Sequence, residues 1–166
     1  MPAIMTFDSN EVCELVGIRP LLLNKFVERK TYGIQPSVRS GKGRGGRRLF
    51  SPDDVFGIAL VWWFFESGLR SNVIQIVLDG ICQAKRARAD QAAKRLIEKK
   101  IQRVRVQIES RESPRLKMPT LRVYLITQEN PNVLRPVAME LEVPVGHLYW
   151  FVLHKMKRLT GLPQGE

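Results

Sequence analysis

The sequence predicts a mainly α fold carrying a β-hairpin in its N-terminal half, followed by a small α+β unit. Three observations predict it. Apolar residues recur at helical spacing between clear start and stop signals through roughly the first half of the chain. Residues 40–46 (SGKGRGG) put four glycines between short extended arms, which reads as a hairpin with a long, flexible tip. Past residue 101, alternating apolar residues and proline-bounded runs replace the helical period. With 166 residues, 44% of them apolar, the chain can bury one ordinary core, or a small module with a second unit behind it.

The elements follow in order. Residues 8–16 (DSNEVCELV) predict a short helix: Asp8 or Ser9 can cap it, and Glu11 stands at capping-box spacing from Asp8. Val12, Leu15 and Val16 form its apolar stripe, and Gly17 suits the stop. A second helix starts at Arg19-Pro20 and runs through Leu21, Leu22, Leu23, Asn24, Lys25 and Phe26 to about Arg29. Two short helices joined by the tight Gly17-Ile18 turn make a helix-turn-helix. Tyr32-Gly33-Ile34 can open a strand before the Gly-rich tip, and Arg47-Arg48-Leu49-Phe50 forms the returning arm.

Ser51-Pro52-Asp53-Asp54 is a strong helix start, with Ser51 as cap, Pro52 in the first turn and acids at the positive dipole end. The run over residues 55–69 is apolar nearly all round, which predicts the central core helix, with Trp62-Trp63-Phe64-Phe65 inside and Gly68 at its end. Ser71 or Asn72 caps a further helix through Ile81. Residues 83–100, basic and Ala-rich, predict a connecting helix. Ile97, Ile101, Val104 and Ile108 have heptad-like spacing, yet Val104, Val106 and Ile108 alternate with polar residues. The alternation favours a strand over Arg103–Ser110. Pro114 and Pro119 bound a linker. Strands follow at Leu121–Thr127 and Val137–Val143, with an Asn130-Pro131-Asn132 turn between them. Residues 147–159 suit either a last strand or a short amphipathic helix.

Charge narrows the partner. The net charge is +11, and it is not spread evenly. Residues 19–48 hold nine Lys or Arg against one acid, and residues 85–117 hold twelve against four. The sequence between these blocks is acidic on balance. Two such blocks point to a polyanion, nucleic acid before an acidic membrane surface. The second block reads as an exposed helix face or as a second DNA contact. Cys13 and Cys82 lie 69 positions apart, which excludes a disulfide framework and a CxxC metal site and predicts reduced, buried thiols in a cytosolic protein. No secretory signal and no run of about 18 apolar residues is readable, so no membrane partner is expected. His147 and His154, the only histidines, stand seven apart without a nearby Cys or carboxylate and read as structural. Lys42-Gly43-Arg44-Gly45-Gly46 lacks the order and the helix lysine of a nucleotide-hydrolysing loop. Neither enzyme chemistry, a metal nor a cofactor is expected.

Three signatures recur in register: Val12-x-x-Leu15-x-Gly17-Ile18-x-Pro20, then Gly46-x-Arg48-Leu49-Phe50-Ser51-x-x-Asp54-Val55, then Glu66-x-Gly68-Leu69 before a capped helix. With the order helix, turn, helix, hairpin, helix, helix, the first 82 residues resemble the MerR-type winged helix-turn-helix family. That resemblance implies a dimeric, DNA-binding transcription regulator with its second helix in the major groove and its wing on the backbone. It divides the chain into a DNA-binding domain over residues 5–82, the basic helix over 83–100, and a C-terminal unit over 101–160. That last unit would serve dimerisation, a small ligand or a protein contact. The resemblance implies Arg19, Asn24 and Lys25 on the second helix and Arg47 and Arg48 on the wing as DNA-facing. The rest of the first basic block, Arg29, Lys30, Arg39, Lys42 and Arg44, is expected to join them, the last two on a Gly-rich tip longer and more positive than the family pattern. Arginine and asparagine suit base edges, so Arg19 and Asn24 are expected to read sequence while the wing positions. Relatives often carry Arg-Thr where this chain has Leu21-Leu22, and an aromatic pair where it has Lys25-Phe26, so their target site does not transfer. A cytoplasmic, nucleoid-associated location follows from that reading. The alternative reading is an architectural protein that coats or anchors DNA without switching a promoter.

Overall fold

A computed structural model describes residues 5–40, 47–109, 120–126 and 139–161. Within them the chain is mainly helical, with two small antiparallel sheets. Helix α1 (Ser9–Val16) starts on a full capping box. The Asp8 carboxylate accepts from the N–H groups of Asn10 and Glu11, and the Glu11 carboxylate accepts from the Asp8 N–H at 2.7 Å. Gly17 closes it in the left-handed region at φ 77°, where a side chain would be strained. Helix α2 (Pro20–Glu28) buries Leu23 and Phe26 against α1 and the core.

The strand expected at Tyr32-Gly33-Ile34 is instead a single 3-10 turn, Thr31–Gly33. Lys30, Tyr32 and Gly33 all have positive φ, which curls the chain where an extended arm needs negative φ. The hairpin proper is shorter: β1 (Val38–Ser40) pairs with β2 (Arg47–Leu49), Arg39 opposite Arg48. Its tip, including Lys42 and Arg44, lies outside the described residues.

Helix α3 (Pro52–Glu66) is capped by Ser51 as the sequence predicts, with Asp54 completing the box. It is the central element, buried from Asp54 through Val61 and again at Phe64. The aromatic quartet is only partly core: Phe64 is sealed, Trp62 and Trp63 are half-buried, and Phe65 is 40% exposed. Four successive helical residues step right round the axis, so all four could be buried only if the helix end were enclosed on every side. Helix α4 (Ser71–Cys82) begins after Arg70, with no side-chain cap from Ser71 or Asn72.

The basic stretch expected as one helix from Gln83 to Lys100 is broken. Residues 83–88 form a turn with Gln83 and Arg86 at φ 55°, and helix α5 covers only Ala89–Glu98. It is also a core element. Ala89, Ala92, Ala93 and Leu96 are buried, and α5 packs on α3 so closely that a Cβ at Gly57 would stand 2.7 Å from the Ala89 and Asp90 backbone.

The second sheet has β3 (Arg103–Glu109) in the middle, flanked antiparallel by β4 (Thr120–Ile126) and β5 (Met139–Val143). The Pro114–Pro119 linker and the Asn130-Pro131-Asn132 turn lie outside the described residues. Of the two readings of residues 147–159 the helix holds, as α6 (Val145–Thr160), whose Tyr149 meets Phe56 edge-on at 5.1 Å. Val104, Val106, Val143, Val152 and Met156 join the same buried cluster as Phe7, Leu15 and Phe56. Both cysteines are unpaired and half-buried, and burial pushes their thiols up, with Arg95 opposing it at Cys82.

Candidate nucleic-acid interface

Burying Leu23 and Phe26 turns the opposite side of α2 outward, and Leu21, Asn24, Lys25, Glu28 and Arg29 are exposed there. Positions three and four apart share a helix face, so these residues form one strip along the helix. Arg19, in extended backbone just before the helix, and Lys30, just after it, are exposed at its two ends. Leu22 is half-buried, whereas Leu21 is 71% exposed at the first turn.

The hairpin is fastened at its base from two directions. Phe7 and Phe50 exchange both backbone hydrogen bonds, at 2.9 and 2.8 Å, which ties the segment before α1 to the exit of β2. On the other arm the buried Asp54 carboxylate accepts from the Ser51 N–H at 2.8 Å and from both the N–H and the hydroxyl of Ser37. One side chain thus caps α3 and anchors the chain just before β1. Sequence reasoning read Asp54 only as a dipole partner of α3, because its hold on Ser37 crosses 17 positions.

Successive strand residues face opposite ways, and Arg47 and Arg48 do so here. Arg47, with its side chain 75% exposed, reaches the Asp8 carboxylate at 3.2 Å. The Arg48 guanidinium donates to the Asn24 side-chain carbonyl at 3.1 Å. The hairpin arm and the outward face of α2 are therefore one surface, with Asn24 and Arg48 in contact. Arg39 sits opposite Arg48 in the backbone register. Asp8, missed as a partner of Arg47, carried a signal for its capping role alone.

A second feature lies on α6, where Trp150 and Phe151 are exposed. Trp150 stacks on His154 at 5.2 Å, and His147 is exposed. A cleft of about 350 Å³ opens beside Phe151 between α1, α3 and α6, lined by Trp62, Trp63 and Leu148. Among the described residues no three His, Cys, Asp or Glu side chains come together as a metal site. Among the same residues no helix is long and apolar enough to cross a membrane. No protein-family model matches the chain, and no characterised protein matches its sequence.

Proposed function

We propose that this protein binds duplex DNA sequence-specifically as a homodimeric transcription regulator, in the manner of the winged helix-turn-helix proteins its N-terminal half resembles. The observation that carries the reading is the shared surface of α2 and the hairpin, where Arg48 contacts Asn24, and Arg19 and Lys25 stand exposed on and just before the helix, with Arg47 exposed on the other face of the same arm. A cationic strip at the duplex gains affinity by releasing condensed counterions from phosphate. Sequence is then read by the outward face of α2, with Asn24 and Arg19 at base edges and Leu21 suited to a thymine methyl group. The wing arginines and Lys25 position the protein on phosphate. Two copies would read half-sites about one helical turn apart. The C-terminal unit would supply dimerisation, a ligand pocket or a protein contact. Association with the nucleoid follows from DNA binding.

Selection from a randomised duplex pool tests this. The reading expects an enriched motif whose affinity exceeds that of random duplex by at least about 10³-fold. It expects Asn24→Ala and Arg19→Ala to lower affinity for the motif more than for random duplex. An architectural role is the second reading, favoured by basic charge outside α2 and the hairpin, at Lys85 and Arg86. Strong binding without an enriched motif would establish that role and refute promoter reading.

A further inference from the structure

The two basic blocks, separate in sequence, meet in the fold. Gly33, just past the end of α2, packs against the Cα and side chain of Arg88 so tightly that an added Cβ would fall 2.4 Å from Arg88 Cγ. The Gly33 N–H in turn bonds the Lys30 carbonyl at 3.0 Å. The 3-10 turn that follows Arg29 and Lys30 thus packs on Arg88, two residues past the Lys85–Arg86 pair that opens the second block.

The turn that carries Lys85 and Arg86 is held in place. Gln83 and Arg86 adopt a left-handed backbone that residues with a side chain take only at a cost. Asp79 offsets that cost from below. Its carboxylate accepts from the Gln75 amide and from the Ala87 N–H, both at 2.8 Å, while the same Gln75 amide donates to the Ala87 carbonyl at 3.0 Å. The Ala84 N–H bonds the Asp79 carbonyl, and Arg95 bonds the Cys82 carbonyl at 2.9 Å. Three acids lie near these cations. Asp79 is taken up inside the turn, Asp90 is bound by Arg88 at 2.9 Å, and Glu28 stands on the α2 strip. Arg29, Lys30, Lys85 and Arg86 are all exposed and form no ion pair among the described residues.

We propose that the Lys85–Arg86 turn is a second phosphate-binding element, which continues the duplex track from the hairpin along α2 and past its C-terminal end. The inference rests on the DNA-binding reading and adds a contact that the wing and α2 do not include. A surface that is fixed before binding meets phosphate with little further ordering, which favours affinity.

The test is the salt dependence of binding to a random-sequence duplex, for the wild type, Lys85→Ala/Arg86→Ala and Arg47→Ala/Arg48→Ala. Loss of two phosphate contacts should flatten the log–log slope of the turn variant by about two. Arg86→Lys, which keeps the charge, should keep the slope. Lys85→Ala alone removes a residue with ordinary backbone and should flatten it by about one, so the test stands even if the double variant folds poorly. A turn variant with wild-type slope beside a flattened wing variant would overturn this inference and leave the DNA-binding reading intact. Absence of salt-dependent binding by the wild type would overturn both.

Discussion

Replacing Asp54 by alanine should unlock the base of the hairpin and the start of α3 together. The carboxylate is 5% exposed and accepts three hydrogen bonds, one from Ser51 and two from Ser37. The Ser51 hydroxyl cap survives the change, because it accepts from the backbone N–H of residue 54. A bond to a charged acceptor contributes about 1.5–3 kcal/mol where its donor is otherwise sealed. Ser51 is half-buried and earns the lower part of that range. Ser37 is exposed, so its donors recover water and their two bonds together contribute about 1 kcal/mol. The expected loss is about 2–3 kcal/mol, or a fall in Tm of about 5–10 °C for a chain of this size. Ser37→Ala removes the hydroxyl bond and keeps the backbone one, so urea unfolding of Asp54→Ala, Ser37→Ala and the double variant should show coupling between the two sites of about 0.5 kcal/mol. An Asp54→Ala change that left stability within about 0.5 kcal/mol of wild type would show that the carboxylate does not hold the hairpin base.

Three further outcomes are expected. Gly57→Ala should destabilise by about 1–3 kcal/mol in thermal melts, since its Cβ would stand 2.7 Å from the α5 backbone, which has no flexible side chain there to yield. Gly17→Ala meets open space and should cost only the left-handed strain, about 1 kcal/mol by the same assay. Burial works against ionisation of Asp79, but hydrogen bonds from the Gln75 side chain and the Ala87 and Arg86 N–H groups outweigh it and hold its carboxyl below the ordinary carboxylate range. A depressed folded-state pKa stabilises above the unfolded value and is lost as pH falls through the folded one. Wild type should therefore lose stability below about pH 4 more steeply than Asp79→Asn, and parallel urea midpoints across that range would contradict the assignment.

Local chemistry was legible in the sequence, and long-range chemistry was not. The Asp8–Glu11 box and the Ser51 cap join residues three apart, and Gly17 ends its helix by its own backbone freedom, so each could be read from a short window. The returning hairpin arm and the strand at Arg103 followed from the glycine tip and from period-two alternation, while the first arm begins only at Val38. What escaped depends on partners elsewhere in the chain. Residues 83–88 have good helix propensity but are bent by Asp79 and Gln75 of the preceding helix. Tyr32 looks like a strand residue, yet its ring is buried edge-on against Phe26 at 5.8 Å with φ at 57°. The exposure of Arg19, Asn24 and Lys25 was readable from the burial period of α2. The contact between Asn24 and Arg48 needed the fold, as did the meeting of the two basic blocks.

The most direct test of DNA binding through the wing and α2 is the affinity for random duplex DNA across a salt series, in wild type and Arg47→Ala/Arg48→Ala. DNA binding of this kind requires affinity that falls steeply with salt in the wild type, with a log–log slope flattened by about two in the variant. No binding at low salt, or an unchanged slope in the variant, would contradict it.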